Sequence, residues 1–166
     1  MKAVYPGSFD PVHNGHIDII ERASRIFGEV VVSVAVNRQK NALFTPEERV
    51  ELLKEATGHL ANVTVDYFEG LLVDYAERIQ AAVVVRGLRA ISDYEYELQM
   101  ALTNKRLNPN VELMFMMASA EHSFIGSSLI KELAGLNAPL GGLVPKAVEE
   151  LLGRKLQQKR AGGRVS

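Results

Sequence analysis

The sequence predicts an α/β fold built on a doubly wound parallel sheet in a single domain. Short apolar runs alternate with amphipathic helical stretches along the chain, as in strand–helix–strand units. Several of these runs are continuously apolar, which is typical of strands covered on both faces. At 166 residues and 47% hydrophobic composition, the chain has the size of one ordinary domain with a substantial core.

Five apolar runs are predicted as strands: KAVYPG, EVVVSVAV, NVTVDYF, AAVVVRG and VELMFMM. The stretch NGHIDIIERASRIFG is predicted as the first helix, with Gly28 as its stop signal. The apolar face of this helix is predicted to consist of Ile17, Ile20, Ala23 and Phe27.

A second helix is predicted from TPEERVELLKEATG. Thr45 is suited to cap it, Pro46 fits the first helical position, and Glu48 completes a capping box. In a doubly wound sheet with such connections, ligands bind beyond the carboxyl ends of the strands.

Composition excludes several kinds of chemistry. The chain has no cysteine, so it offers no disulfide, no thiolate metal site and no cysteine nucleophile. Its longest apolar runs are far shorter than the roughly 18 residues that a membrane span needs. We therefore expect a soluble, cytoplasmic protein without a membrane partner.

Charge is distributed unevenly along the chain. Residues 154–166 carry five Lys or Arg and no acid, whereas residues 1–153 carry fourteen basic and twenty acidic side chains. An acidic body argues against a general nucleic-acid surface, which needs positive charge. We expect a single domain over residues 1–153 and a basic, flexible tail over residues 154–166.

The stretch YPGSFDPVHNGH, residues 5–16, holds more turn-forming residues than a simple reversal requires. It joins the first strand to the first helix, so Ser8, the amides near Phe9 and both histidines are expected at a helix N-terminus beside the crevice. Such an end attracts anions, and phosphate is the natural candidate. The stretch matches neither GxGxxG nor the P-loop pattern.

Two other roles remain open for His13 and His16 on this reasoning. Both are potential zinc ligands, although their spacing supplies only two nitrogens and no evident third ligand. Their position at the start of the predicted helix also suits side chains that only cap the helix.

Three segments carry a resemblance to a known family: GSFDPVHNGHIDIIERA, VVRGLRAISDYEYELQMALTN and SFIGSSLIKEL. The first resembles the HxGH signature of the nucleotidyltransferase superfamily, and together they resemble bacterial phosphopantetheine adenylyltransferases over nearly all of residues 2–152. The resemblance implies a Rossmann-like nucleotidyltransferase fold and a homohexamer. It also implies a reaction in which ATP and 4′-phosphopantetheine give dephospho-coenzyme A and pyrophosphate, with Mg²⁺ bound through the ATP phosphates.

The resemblance also assigns roles to residues. His16 is the expected catalytic group, donating to the α-phosphate as charge develops there. The expected acceptor-binding residues are Ser8, Lys40, Leu72 and Arg86. Each of the last three also has a simpler explanation: an exposed loop position for Lys40, core packing for Leu72 and an internal salt bridge for Arg86. The expected nucleotide-binding set is Ser8, Phe9, His13, His16, Gly87, Arg89, Glu97, His122, Ser123, Phe124, Ile125, Gly126, Ser127 and Ser128.

Gly126 stands where serine is common in the family. Arg89 is expected to reach the β- or γ-phosphate of ATP. No protein ligand to magnesium is predicted, because Mg²⁺ usually binds through phosphates and water. The alternatives are a nicotinamide or nicotinate mononucleotide adenylyltransferase, a cytidylyltransferase, and a non-catalytic nucleotide-binding regulatory module. Lys40, Arg86 and the RGLR segment argue against the first of these.

Overall fold

The computed structural model describes residues 1–37, 39, 41–89 and 91–162, without the side chains of residues 91–93 and 159–162. Strands and helices alternate up to β5, and two helices follow it. The elements are β1 Lys2–Gly7, α1 Asn14–Ile26, β2 Glu29–Ala35, α2 Pro46–Thr57, β3 Val63–Phe68, α3 Leu72–Arg78, β4 Val83–Leu88, α4 Ile91–Leu107, β5 Glu112–Met117, α5 Ser127–Gly135 and α6 Lys146–Gly162.

The described strands form one parallel sheet in the order β3-β2-β1-β4-β5. The chain builds outward from β1 to β3, then crosses back to place β4 on the other side of β1. This reversal opens a crevice at the carboxyl ends of β1 and β4. The predicted fold class is confirmed, and the loop after β1 lies at the switch point.

Apolar side chains cover both faces of the sheet. One large cluster includes Val30, Val32 and Val34 of β2 together with Ile19, Ile20 and Leu152 from helices. A smaller cluster on the opposite face includes Val4, Val31 and Val84 of the strands and Tyr75 of α3. Neighbouring valines of one strand thus point into different clusters, which explains why the runs are continuously apolar.

The helix starts follow the predicted local chemistry. The Thr45 hydroxyl accepts the Glu48 amide at 3.2 Å, and the Glu48 carboxylate accepts the Thr45 amide at 2.8 Å, so the capping box is confirmed. Ile20 and Ala23 of α1 and its C-cap Phe27 are buried as predicted, and Ile17 packs partly buried against the main core.

The predicted boundary at residue 153 lies inside α6, which is a correction to the expected tail for residues 154–162. Leu156 continues the apolar face one turn beyond Leu152 and packs against the main core. Lys155 lies 2.8 Å from the Glu48 carboxylate and 5.5 Å from the centre of the Phe44 ring. Periodic packing therefore extends the folded body into the basic segment.

Within the described ranges, no helix is both long enough and apolar enough to cross a membrane.

Candidate active site

A cavity of about 700 Å³ opens where β1 and β4 end. Its walls come from four regions: the end of β1 with the loop and the first turns of α1 that follow it, the end of β4, helix α4, and the segment from β5 into α5. Twelve of the predicted site residues line it: Ser8, His13, His16, Arg86, Gly87, Arg89, Glu97, His122, Phe124, Gly126, Ser127 and Ser128.

The loop after β1 is held by an aromatic side chain beneath it. Phe9 has a positive φ of 47° and is 1% exposed. Its ring meets the Tyr5 ring edge-on at 5.6 Å and the His16 ring at 4.9 Å. Phe9 therefore supports the floor of the site with its side chain rather than lining the cavity.

His13 and His16 are coupled to each other at the start of α1. The backbone N–H of His13 donates to Nδ1 of His16 at 3.2 Å, and the two rings stack with centroids 3.6 Å apart. Because Nδ1 of His16 accepts a hydrogen bond, its neutral ring carries the proton on Nε2. His16 therefore caps the helix with one nitrogen and keeps an N–H donor on the other.

Burial keeps both imidazoles neutral. It is the main cause that lowers the pKa of His13 to about 3, with Arg89 and His122 adding to the effect. Burial also holds the pKa of His16 well below its ordinary value, helped by His13, Arg89 and Arg86. At neutral pH, His16 is therefore a hydrogen-bond donor without a net charge.

The zinc alternative gains no support from this geometry. The two rings are nearly parallel, with 22° between their planes, whereas metal ligands direct lone pairs towards one point. Among the described residues, no group of three or more His, Cys, Asp or Glu side chains is suited to hold a metal ion. The helix-capping role does hold for His16, but it uses only Nδ1.

Gly15 permits the close approach of two segments around these histidines. A Cβ there would lie 3.1 Å from the His13 ring and 3.3 Å from the His122 carbonyl oxygen. Any side chain at position 15 would therefore press the first turn of α1 away from the segment that follows β5.

Arg86 forms the internal salt bridge that sequence analysis left open. Its Nε and Nη2 donate to Oε2 and Oε1 of Glu97 at 2.8 and 2.5 Å, and Nη1 donates to the Pro6 carbonyl at 3.0 Å. Although burial lowers the pKa of Arg86, the hydrogen bond and charge of Glu97 outweigh it, so the pKa is raised overall. Arg86 is thus a fixed cation at the end of β4.

Arg89 lies against the N-terminus of α5, next to Gly126. A Cβ on Gly126 would lie only 2.4 Å from Nη1 of Arg89. The same nitrogen lies 3.5 Å from the Ile125 carbonyl oxygen. Gly126 therefore provides space for the guanidinium.

Ser127 and Ser128 begin α5, where amides without helical partners favour an anion. The Ser127 hydroxyl donates to the Pro11 carbonyl at 2.8 Å. This bond holds the start of α5 against the loop after β1, and both segments line the cavity.

A buried carboxylate that sequence analysis did not assign joins the loop after β1 to the segment before α2 and to helix α5. Asp10 is 6% exposed; its Oδ1 accepts the Phe44 amide at 2.8 Å, and its Oδ2 accepts the Leu43 amide at 3.1 Å and Lys131 at 2.9 Å. Burial raises the pKa of Asp10, but these hydrogen bonds and the charge of Lys131 lower it below its ordinary value. Its partners lie 33 to 121 positions away, so no local pattern identifies them.

A second unassigned carboxylate supports the segment after β5. Asp18 accepts Arg22 at 3.1 Å and the Ser119 amide at 3.2 Å, while Arg22 also donates to the Met117 carbonyl at 2.6 Å. The Ser119 hydroxyl is 2.8 Å from Nδ1 of His122, a cavity residue. Helix α1 thereby positions the wall that carries His122.

Four other predicted site residues within the described ranges, Phe9, Leu72, Ser123 and Ile125, do not line this cavity. Ile125 is buried in the main core, and the Ser123 hydroxyl donates to the Ala120 carbonyl at 3.1 Å. Leu72 packs against the smaller core cluster, so the packing alternative accounts for it. Lys40 lies outside the described residues.

The chain is similar to known proteins over most of its length. The cytidylyltransferase-like family model matches residues 4–133. A phosphopantetheine adenylyltransferase from Caldanaerobacter subterraneus subsp. tengcongensis is 51% identical over 94% of this chain and 98% of that protein. One from Alkaliphilus oremlandii is 56% identical over 88% of this chain and 93% of its own length.

A solved structure supports the fold. It belongs to a Vibrio parahaemolyticus protein provisionally named a nicotinate-nucleotide adenylyltransferase, covers 91% of this chain and 97% of its own, and has a TM-score of 0.69 at 18% identity. At that identity the likeness concerns architecture alone. With a family model over residues 4–133 and relatives above 50% identity across nearly full length, the chain belongs to the phosphopantetheine adenylyltransferases of the cytidylyltransferase-like family.

Proposed function

We propose that this chain transfers the adenylyl group of ATP to 4′-phosphopantetheine, giving dephospho-coenzyme A and pyrophosphate. The relatives that carry this enzyme name match nearly the whole chain at 50% identity or more. The structural observation that carries the proposal is the neutral His16 donor, which lines the same cavity as Arg86, Arg89 and the N-terminus of α5.

The reaction is a direct in-line displacement. A phosphate oxygen of phosphopantetheine attacks the α-phosphorus of ATP while the bond to the pyrophosphate oxygen breaks, so no covalent enzyme intermediate forms. The protein must hold two anions together and stabilise the charge that develops between them. His16 meets the second need through Nε2–H. Because its lowered pKa keeps the ring neutral, the ring holds only this one tightly bound proton and donates a hydrogen bond without transferring it.

The acceptor phosphate is assigned to Arg86 and Ser8, with Lys40 added by resemblance to the family. Arg86 stands at the end of β4, and Ser8 follows β1, so the two lie on either side of the switch point. The Ser8 carbonyl accepts Arg49 at 2.8 Å, which fixes the backbone that presents its hydroxyl.

The triphosphate is assigned to Arg89 and the first residues of α5, Ser127 and Ser128. A guanidinium and a helix N-terminus supply directed donors to several phosphate oxygens. Phe124 is 62% exposed and lines the cavity with His122, which suits the two side chains to flank the base and ribose.

Magnesium is proposed to accompany ATP through its phosphates and water, neutralising part of the triphosphate charge. The polar side chains among the described cavity residues are mainly donors: two arginines, three histidines and three serines. Such a set fits a metal held by the nucleotide rather than by a cage of carboxylates.

We propose that the chain assembles as a homohexamer, a stoichiometry taken from the family resemblance. Helix α4 and the edge strand β5 expose large apolar side chains, which supports burial between subunits. These are Tyr94, Tyr96, Leu98, Met100, Leu102, Leu107, Met114 and Met117. Light scattering on the protein as it elutes from a size-exclusion column is expected to give a molar mass six times the 18.3 kDa chain mass.

The function is tested by supplying ATP and Mg²⁺ with either 4′-phosphopantetheine or nicotinamide mononucleotide. Pyrophosphate and dephospho-coenzyme A are expected with the first acceptor and negligible pyrophosphate with the second. Equal turnover of both acceptors would contradict the assignment, and ATP binding without turnover would indicate a regulatory module instead.

A further inference from the structure

We infer that Asp10 and Lys131 form a positioning pair that holds the N-terminus of α5 in register with His16. The inference rests on the proposed function, in which His16 stabilises charge at the α-phosphate and α5 binds the rest of the triphosphate. It gives a part in the reaction to two residues that sequence analysis left without one.

The pair lies behind the walls of the cavity. Nζ of Lys131 donates to Oδ2 of Asp10 at 2.9 Å. Neither residue is among the described residues that line the cavity, and Asp10 is only 6% exposed. The pair therefore acts on the reaction through the two segments that it joins, the loop after β1 and helix α5.

Asp10 is a fixed anchor because two backbone amides orient its carboxylate. Oδ1 accepts the Phe44 amide at 2.8 Å, and Oδ2 accepts the Leu43 amide at 3.1 Å. The Phe44 side chain is itself buried in the main core. The acceptor that Lys131 meets is thus held in place by the core of the protein, and the lysine brings α5 to it.

A second hydrogen bond holds the same face of α5. The Ser127 hydroxyl donates to the carbonyl of Pro11, the residue after Asp10, at 2.8 Å. Ser127 and Lys131 lie one turn apart on the helix, so their side chains share a face. Burial of Ile130 also holds the helix, but apolar packing has no preferred direction. The two polar contacts therefore fix where along the loop the start of α5 lies and how it tilts.

This placement matters because the loop that carries Asp10 continues into the first turn of α1, where His16 stands. A nucleotide whose terminal phosphates lie at α5 presents its α-phosphorus to Nε2–H of His16 only if the two segments keep their spacing. Reacting groups that are misplaced by about 1 Å lose much of their catalytic effect. Loss of the pair is thus expected to slow the reaction without removing a group that binds substrate.

The test compares Lys131→Met with wild type in turnover of ATP and 4′-phosphopantetheine and in separate titrations of a non-hydrolysable ATP analogue and of pyrophosphate. Methionine keeps much of the length of the side chain but has neither the charge nor the donor. We expect kcat per folded molecule to fall about tenfold, with both Kd values changed by less than about twofold. Glu132→Gln, an exposed acid on the same helix, is the matched control and is expected to change none of these quantities.

Lys131→Gln is the second variant, because a polar side chain suits a position that is 35% exposed and preserves the fold if methionine does not. It is expected to lose kcat in the same way. In a His16→Gln background, either change at Lys131 is expected to add little further loss of kcat, since the donor that the pair positions is already absent.

Three results would overturn the inference. They are a wild-type kcat in both Lys131 variants, a loss of kcat that is undiminished in the His16→Gln background, and a tenfold rise in the Kd of the ATP analogue or of pyrophosphate. The last would show that Lys131 attracts phosphate by its charge instead of positioning α5. Failure of the wild-type protein to form dephospho-coenzyme A would refute the proposed function instead, so the two failures are distinct.

Discussion

The His13 backbone N–H donates to Nδ1 of His16 at 3.2 Å, and this one bond links the start of helix α1 to the chemistry of the cavity. It completes the helix cap and sets the tautomer of the second ring. Because the rings stack at 3.6 Å and are desolvated, neither acquires a charge at neutral pH. A structural hydrogen bond therefore leaves the proton of His16 on Nε2, where the proposed mechanism uses it as a donor.

This arrangement predicts loss of stability in mild acid. The pKa of His13 is about 3 in the folded protein and about 6.5 when unfolded, so the unfolded state binds more protons as the pH falls below 6.5. From pH 7 to pH 5, His13 alone is expected to lower the free energy of unfolding by about 2 kcal/mol. Urea unfolding at the two pH values measures the difference.

The matched variant for this prediction is His13→Asn, which removes the buried imidazole. Its free energy of unfolding is expected to depend less on pH between 5 and 7 than that of wild type. An identical pH dependence in the two proteins would show that His13 is not held neutral by the fold.

Gly126→Ser is expected to weaken ATP binding without destabilising the fold. Serine is a favourable N-cap and suits the extended backbone of this residue, φ −145° and ψ 150°, but its Cβ would displace Nη1 of Arg89. We expect KM for ATP to rise about tenfold with the melting temperature unchanged or higher. Gly135→Ala, at the other end of α5, is the control, because nothing lies within 4 Å of its added Cβ.

The effect of Gly126→Ser should disappear when Arg89 is already replaced by glutamine, because the added side chain acts through the guanidinium. An undiminished effect in that background, or wild-type KM in the single variant, would show that the position of Arg89 against α5 does not matter for ATP.

Deleting residues 154–166 is expected to destabilise the protein. The deletion removes Leu156, which is partly buried against the main core, and Lys155, which pairs with Glu48, and the apolar loss alone is worth about 1 kcal/mol. Removing only residues 163–166 is the control and is expected to leave the unfolding midpoint unchanged. Equal midpoints for both truncations would restore the sequence-based view of residues 154–166 as a dispensable tail.

Sequence reasoning succeeded where the signal was local. The capping box of Thr45 and Glu48, the apolar face of α1 and the doubly covered strands each follow from neighbouring residues. The basic segment was misjudged because its net charge hid Leu156, which lies one helical turn after Leu152 on the same face. A helical-period count, rather than composition, would have found it.

The parts of the site that could not be predicted depend on long-range contacts. Asp10 pairs with Lys131, which lies 121 positions away in the sequence. Arg86 pairs with Glu97 only because the fold places α4 beside β4. In the sequence, Gly126 stands where serine is common in the family. In the fold, its lack of a side chain leaves space for the Arg89 guanidinium. Such roles arise from tertiary packing, which no residue pattern along the chain encodes.

The most direct test of the account is the kcat of two His16 variants, measured with ATP affinity and melting temperature on the same preparations. His16→Gln retains an acceptor suited to the capping box, whereas His16→Ala removes both the cap and the donor. In the proposed mechanism Nε2–H acts on charge that develops in the transition state, so both variants are expected to lose on the order of 10²–10³ in kcat with little change in ATP Kd, and only His16→Ala is expected to melt appreciably earlier. A His16→Ala protein that melts early but turns over at the wild-type rate would contradict the claim that His16 acts in catalysis.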